Sequence, residues 1–290
     1  MLLALLSYFR LEDLKALKVT PLASPIIPMF VLACILILAS FVGALASSYS
    51  EGLSDLFDQA RIATKEGAAS VRIGAATISV EPGRLEASIR NPNGTLVVLP
   101  ANEFFDDACI TDPRSALGAF VQAKFPGRAP ALQRLVADQL SDRPSKRVER
   151  EPGVELQSYG VGSTVFLDRP LGTDFRLLLA AATTHRPGVG LRAEPGTVFA
   201  IVKSAYATAR DHRIGEICLP LVGAGHGAMN RELALATLLL AWSEALFRHP
   251  SNTTVRVVVF QADAVKPPEV SIKRSKRLLR FALATCRPAT

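Results

Sequence analysis

Hydrophobic and polar positions divide the 290-residue chain into an apolar N-terminal tract and a longer region where strand-type and helix-type patterns alternate. Residues 26–46 run for 21 positions without a charge. As a helix rising about 1.5 Å per residue they would cover about 32 Å, the thickness of a bilayer core. The pattern predicts a transmembrane helix over 26–46. A secretory signal peptide competes, because Ala44-Leu45-Ala46 has the small-x-small form of a cleavage site and Arg10, Lys15 and Lys18 form a basic flank. The uncharged run is, however, longer than an ordinary signal core. Residues 1–25 join an apolar start, Met1 to Leu6, to Leu11, Leu14 and Leu17 at helical spacing among charges, and read as an interfacial or partial membrane segment. Residues 47–69 read as a linker, with a short amphipathic helix expected over Gly52–Lys65. Residues 70–290 read as one globular domain.

Inside that domain, alternation over Val71–Val80 and Leu85–Ile89 predicts strands, with a hairpin-type turn at Asn91-Pro92-Asn93-Gly94. Thr95–Pro100 is apolar enough for a buried strand and ends in the polar and aromatic tip Ala101–Asp107. Residues 115–140 carry Leu117, Phe120, Val121, Leu132, Leu135 and Val136 at helical spacing, broken at Pro126-Gly127. The charged stretch Ser141–Gly153 reads as a solvated loop. Val154–Leu167 and Asp174–Thr184 supply two or three further strands, Glu194–Arg210 a helix, Ile217–Leu221 and Val255–Phe260 strands, and Asn230–Phe247 a helix. Lys273–Leu283 reads as a packed C-terminal helix with a basic outer face, a membrane-surface or partner contact being the other reading. There are no internal repeats.

Charge and cysteine content narrow the partners. A net charge of +7 and a pI near 9.5 suit an anion such as a nucleotide, a membrane surface or nucleic acid. Cys34, Cys109, Cys218 and Cys286 make no C-x-x-C pair, which supports neither a zinc site nor a disulfide framework. No metal site is expected.

The candidate chemistry centres on Val222-Gly223-Ala224-Gly225-His226-Gly227, where an apolar strand breaks into alternating glycines ahead of a helix. Glycines at such a junction let backbone N–H groups approach an anion, and the helix N-terminus favours one. Gly223, Gly225 and Ala228 also fit the dinucleotide fingerprint G-x-G-x-x-A. The acid that fold requires about 20 residues later is missing from the next strand end: Glu244 sits within the helix, and Asp263 is too far along. A different phosphate-binding fold is therefore expected. Asn102, at a strand tip, offers a short amide that can donate and accept. Phe104 follows it, and Asp106, Asp107 and Asp112 could hold a carboxylate near the ligand, although acids in a loop after a strand are usually solvated. His226 has no Cys or Ser partner at a recognisable spacing, so no catalytic group is assigned.

Taken together, Val98-Leu99-Pro100-Ala101-Asn102, the turn Ser115-x-x-Gly118 and Leu219–Gly227 resemble a macro domain, and more narrowly the membrane-anchored macro-domain effectors of type II Thoeris antiphage systems. The resemblance implies a three-layer α/β/α domain with a mixed sheet behind a transmembrane helix. It implies a ligand derived from ADP-ribose, histidine–ADP-ribose made by a partner TIR-domain enzyme, and no other cofactor. It places Asn102 at the distal ribose, Ser115, Leu117 and Gly118 along the diphosphate, and Gly223 to Gly227 over the diphosphate and distal group. Leu117 stands where the family more often has His, and no adenine-gripping Asp-Ile-Thr element is evident around Glu81–Glu86. The family implies an inner-membrane protein with its macro domain in the cytoplasm, self-associating on activation, with no nucleic acid as partner. A non-enzymatic sensor and an ADP-ribosyl hydrolase are the two function classes this leaves; a secreted hydrolase behind a signal peptide is a third.

Overall fold

The structure, a computed structural model, describes residues 62–286 except 66 and 187. The segments 1–25 and 26–46 and most of the linker lie outside the described residues. Among those described, no helix is long and apolar enough to cross a membrane. The chain order is β1 (Ala63–Lys65), β2 (Ala68–Ile73), β3 (Ala76–Gly83), β4 (Thr95–Asn102), α1 (Asp107–Thr111), α2 (Ala116–Lys124), α3 (Ala129–Leu140), β5 (Lys146–Glu151), β6 (Val154–Ser158), β7 (Thr164–Leu167), β8 (Arg176–Arg186), β9 (Gly190–Arg192), α4 (Pro195–Asp211), β10 (Glu216–Pro220), α5 (Arg231–Arg248), β11 (Thr254–Phe260) and α6 (Ile272–Cys286).

One mixed sheet runs in the order β1-β2-β3-β11-β10-β4-β8-β7, with β9 paired to β8. The five strands from β3 to β8 are mutually parallel, and antiparallel partners close both sides. The central strands are largely apolar because helices cover both faces. In β4, Leu96 and Val98 join the core beneath α4, α5 and α6, while Val97, Leu99 and Ala101 join the core beneath α2 and α3. The expected α/β/α layering is therefore present. β1 and the start of β2 fall before residue 70, so this part of the expected linker belongs to the sheet. Thr64 and Lys65, read as the end of an amphipathic helix, are strand residues.

Four other expectations are corrected. Val71–Val80 is not one strand but most of the β2–β3 hairpin, which turns at Gly74 with φ +59°. Leu85–Ile89 is not a strand: Leu85–Ala87 form a 3-10 turn, Leu85 is buried, and the Ser88 carbonyl accepts from Arg256. That arginine, 3% exposed on β11, also pairs with Glu81 at 2.5 Å and Glu216 at 2.9 Å, while Arg90 holds Glu81 at 2.8 Å. This buried ionic knot consumes the backbone group that a strand would need for pairing. Asn91–Gly94 consequently turns the chain into β4 without forming a hairpin. Finally, Ser141–Gly153 is not merely a loop, because β5 pairs antiparallel with β6 in a separate two-stranded ribbon.

Candidate functional site

Parallel strands of an open α/β sheet deliver their loops to one edge, where ligands gather. β4 and β10 are neighbours in this sheet, and the loops that follow them flank a cavity of about 530 Å³. Such a volume is ordinary for a small-molecule site.

The first wall begins at the tip of β4, where the pairing with β8 shifts between Ala101 and Asn102. Asn102 accepts from the Phe104 N–H at 3.1 Å and donates to Asp106 Oδ1 at 3.0 Å. Asp106 caps α1 by accepting from the Cys109 N–H at 3.0 Å, and its other oxygen pairs with Arg150 of β5. The Arg150 guanidinium lies 5.9 Å from the Phe104 ring centre, a cation–π spacing. Burial, and secondarily Asp106, push the Cys109 thiol up to about 12, so it stays protonated and unreactive at neutral pH.

After α1 the chain turns sharply into α2. Ser115 caps α2 by accepting from the Gly118 N–H at 2.8 Å, and it donates to the Asp112 carbonyl at 2.9 Å. A Cβ on Gly118 would stand 2.0 Å from that carbonyl oxygen, which is why this helix position has no side chain. Among the described residues the N–H groups of Ala116 and Leu117, at the start of α2, donate to no protein acceptor, and Ser115 and Ala116 line the cavity.

The opposite wall is the loop between β10 and α5. Gly223 has φ +85°, and a Cβ there would meet Ala193 at 2.9 Å; one on Gly227 would meet Ala193 at 2.6 Å and the Gly223 carbonyl at 2.7 Å. Both are glycine for packing reasons. Gly225 differs, since a Cβ would have nothing within 4 Å and would point into open space. Among the described residues, the N–H groups of Gly225, His226 and Gly227 donate to no protein acceptor. The two walls meet where His226 Nε2 lies 3.2 Å from Asp112 Oδ2. The Arg114 side chain grips the same carboxylate at 3.0 and 3.1 Å, and mainly through those bonds holds it down to about 2. Unused backbone donors on both sides of a cavity rimmed by Arg114 and Arg150 form a receptacle for a phosphate-bearing ligand.

Residues 90–260, more than half the chain, match the model of the family described as Thoeris protein ThsA, Macro domain. The chain belongs to this family. The match covers β4 through β11, hence every wall of the cavity. Solved macrodomains share the fold. A point mutant of the Oceanobacillus iheyensis macrodomain with ADPR aligns at a TM-score of 0.51 and 15% identity, over 75% of this chain and 97% of that one. The same macrodomain with ADP aligns at 0.51 and 13%, over 75% and 96%. At such identities the likeness concerns fold alone. No curated protein gives a match.

Of the residues expected at the site, Asn102, Ser115, Gly223, Gly225, His226 and Gly227 line the cavity. Six others do not. Leu117 is fully buried in the core beneath α2, Val222 is buried in the opposite core, and Ala224 packs against that same core. Gly118 sits behind the turn, pressed on Asp112. Phe104 and Asp106 lie beneath Arg150, which faces the cavity in their place. Cys109, Arg114, Thr183 and Leu191 also line it without having been expected as contacts, and so does Asp112, one of the three loop acids weighed for a place near the ligand. Closeness to the Ser115 cap could have flagged Arg114; for Arg150, on a charged ribbon, the chain pattern carries no signal.

Proposed function

We propose that this domain is the sensing part of an antiphage effector, binding histidine–ADP-ribose made by a partner TIR-domain enzyme without turning it over. Bound ligand favours association of chains through residues 26–46 in the inner membrane, and that assembly compromises the membrane. The observation that carries the reading is the open, donor-rich space beside Gly225 opposite the capped start of α2. An ADP-ribose diphosphate needs backbone donors without side-chain bulk, as these are. The ADPR bound by the macrodomain of Oceanobacillus iheyensis supports the ligand class.

Binding without turnover is favoured by the state of the lining groups. Asp112 is the carboxylate among them, and Arg114 and His226 already engage it. The Cys109 thiol is protonated. The Asp112–His226 contact supports a second reading, an ADP-ribosyl hydrolase in which the imidazole orients a water. For the output, a single apolar helix cannot surround a water-filled path, so copies must pack together; Ala39 and Gly43 are small enough for close approach. The ligand must then bind the assembled state more tightly than the separate one.

The test uses the full chain in dye-loaded liposomes. Calorimetry against ADP-ribose and its histidine conjugate should show binding, chromatography should recover the ligand intact, and ligand should increase both leakage and oligomer size. Steady enzyme-dependent product would favour the hydrolase. Tight binding with unchanged leakage and size would reduce the membrane segment to a tether.

A further inference from the structure

α6 carries Lys273, Arg274, Lys276, Arg277 and Arg280, and no acid anywhere in Ile272–Cys286. Its inner face, Ser275, Leu279, Ala282 and Leu283, is buried. Successive residues of a helix are 100° apart, so Lys273, Arg277, Arg280 and Phe281 fall on the side opposite that face. All four are exposed, Phe281 by 52%. Arg274 is paired with Glu232, but among the described residues Lys273, Lys276, Arg277 and Arg280 have no ion pair. An ordinary solvated helix mixes signs at i,i+4. Here Lys273/Arg277 and Lys276/Arg280 place like charges at that spacing, which destabilises the isolated helix. An external anionic surface would offset the repulsion.

The place of α6 in the fold suggests which surface. The helix packs over β2 and β3, beside the β1 edge. Ile62, the first described residue, packs into the same core as Ile272 and Leu278 of α6. The described chain thus begins at the edge strand β1, beside the β2 strand that α6 covers. The 15 residues between the uncharged run 26–46 and Ile62, 47–61, can reach at most about 50 Å when fully extended. An exposed aromatic within a basic helical face is the composition of a helix that rests on lipid headgroups. A nucleic-acid duplex would account for the basic residues but not for Phe281.

We propose that the outer face of α6 docks on an anionic bilayer surface, with Lys273, Arg277 and Arg280 on lipid phosphates and Phe281 at the headgroup–acyl boundary. The contact goes beyond the proposed function, because it involves neither the cavity nor its ligand. It gives the domain a fixed side toward the membrane.

The experiment places a reporter in full-length protein by Phe281→Trp; the native Trp242 is fully buried and serves as a silent background. The chain is mixed with, or reconstituted into, vesicles of brominated phosphatidylcholine with or without phosphatidylglycerol. The introduced indole should shift to the blue and be quenched only with phosphatidylglycerol, and the effect should disappear in high salt. Each basic residue is worth about fivefold near an anionic leaflet, so adding Lys273→Glu, Arg277→Glu and Arg280→Glu should weaken the docked state by roughly 100-fold or more. The milder set Lys273→Gln, Arg277→Gln and Arg280→Gln should act in the same direction and covers the case in which the glutamates upset folding. Equal emission with neutral and anionic vesicles overturns the proposal, as does a response to duplex oligonucleotide but not to vesicles. Protein that stays on vesicles in high salt while the indole returns to its water-exposed emission reports on residues 26–46, so failure of the span and failure of α6 docking are told apart.

Discussion

Gly225→Glu separates binding from folding at the loop between β10 and α5. The backbone there is outside the left-handed region, and a Cβ meets nothing within 4 Å, so the new side chain strains nothing and enters open space. Stability should stay within about 0.5 kcal/mol of wild type, as for a surface substitution. The carboxylate would however stand near an incoming diphosphate. A charge pair about 5 Å apart at an effective dielectric near 20 repels by about 3 kcal/mol, more than 100-fold in affinity before steric exclusion is counted. Gly223→Ala is the control with the opposite expectation. Its φ of +85° and the Ala193 Cβ at 2.9 Å make any side chain strained, at about 1–3 kcal/mol of stability. Urea denaturation gives the stabilities, and calorimetry with ADP-ribose gives the affinities. Wild-type affinity in Gly225→Glu would remove this loop from the diphosphate site, and unfolding of that variant would refute the open-space reading.

Gly118→Ala pushes a methyl against the Asp112 carbonyl and should destabilise by about 1–3 kcal/mol in chemical denaturation; a loss under about 0.5 kcal/mol would mean that the turn yields freely. Asp112, held down to about 2 mainly by its hydrogen bonds to Arg114, lies below its unfolded value, so its contribution is present above about pH 4 and lost as pH falls toward 2. Urea midpoints of wild type and Asp112→Asn should therefore differ above pH 4 and converge near pH 2, and parallel profiles would contradict this. Arg256→Met leaves Glu81 and Glu216 without their buried partner and should cost about 3–5 kcal/mol at neutral pH. A melting temperature unchanged at neutral pH would show the knot to be dispensable.

Much of the domain was legible because its signals are local. Apolar runs mark β4, β10 and, broken only by Arg256, β11, a pattern that follows from burial on both faces, and 3.6-residue spacing marks α2 to α6. The glycine run after β10 and the Ser115 cap could be read because turn and cap chemistry lie within a few residues. The tertiary structure decided what depends on neighbours remote in the chain. Leu85–Ile89 alternates like a strand, yet Arg256, more than 160 residues later, captures its carbonyl. β5 is charged on both faces and pairs only with β6, so nothing in its pattern distinguishes it from loop, although it carries Arg150 to Asp106. Leu117 and Val222 lie within the expected binding segments but turn into the two cores, because a helix face and a strand end each have an inside that sequence order does not label. The meeting of Asp112 with His226 likewise arises only when β4 and β10 lie side by side, and the division of the glycines into packed ones at 223 and 227 and an open one at 225 arises from Ala193, which lies between β9 and α4. Residue type and spacing thus determined the elements and the phosphate-type loop, whereas the contacts that make a site of them were decided by strand order in the sheet, since parallel pairing joins segments over 100 residues apart.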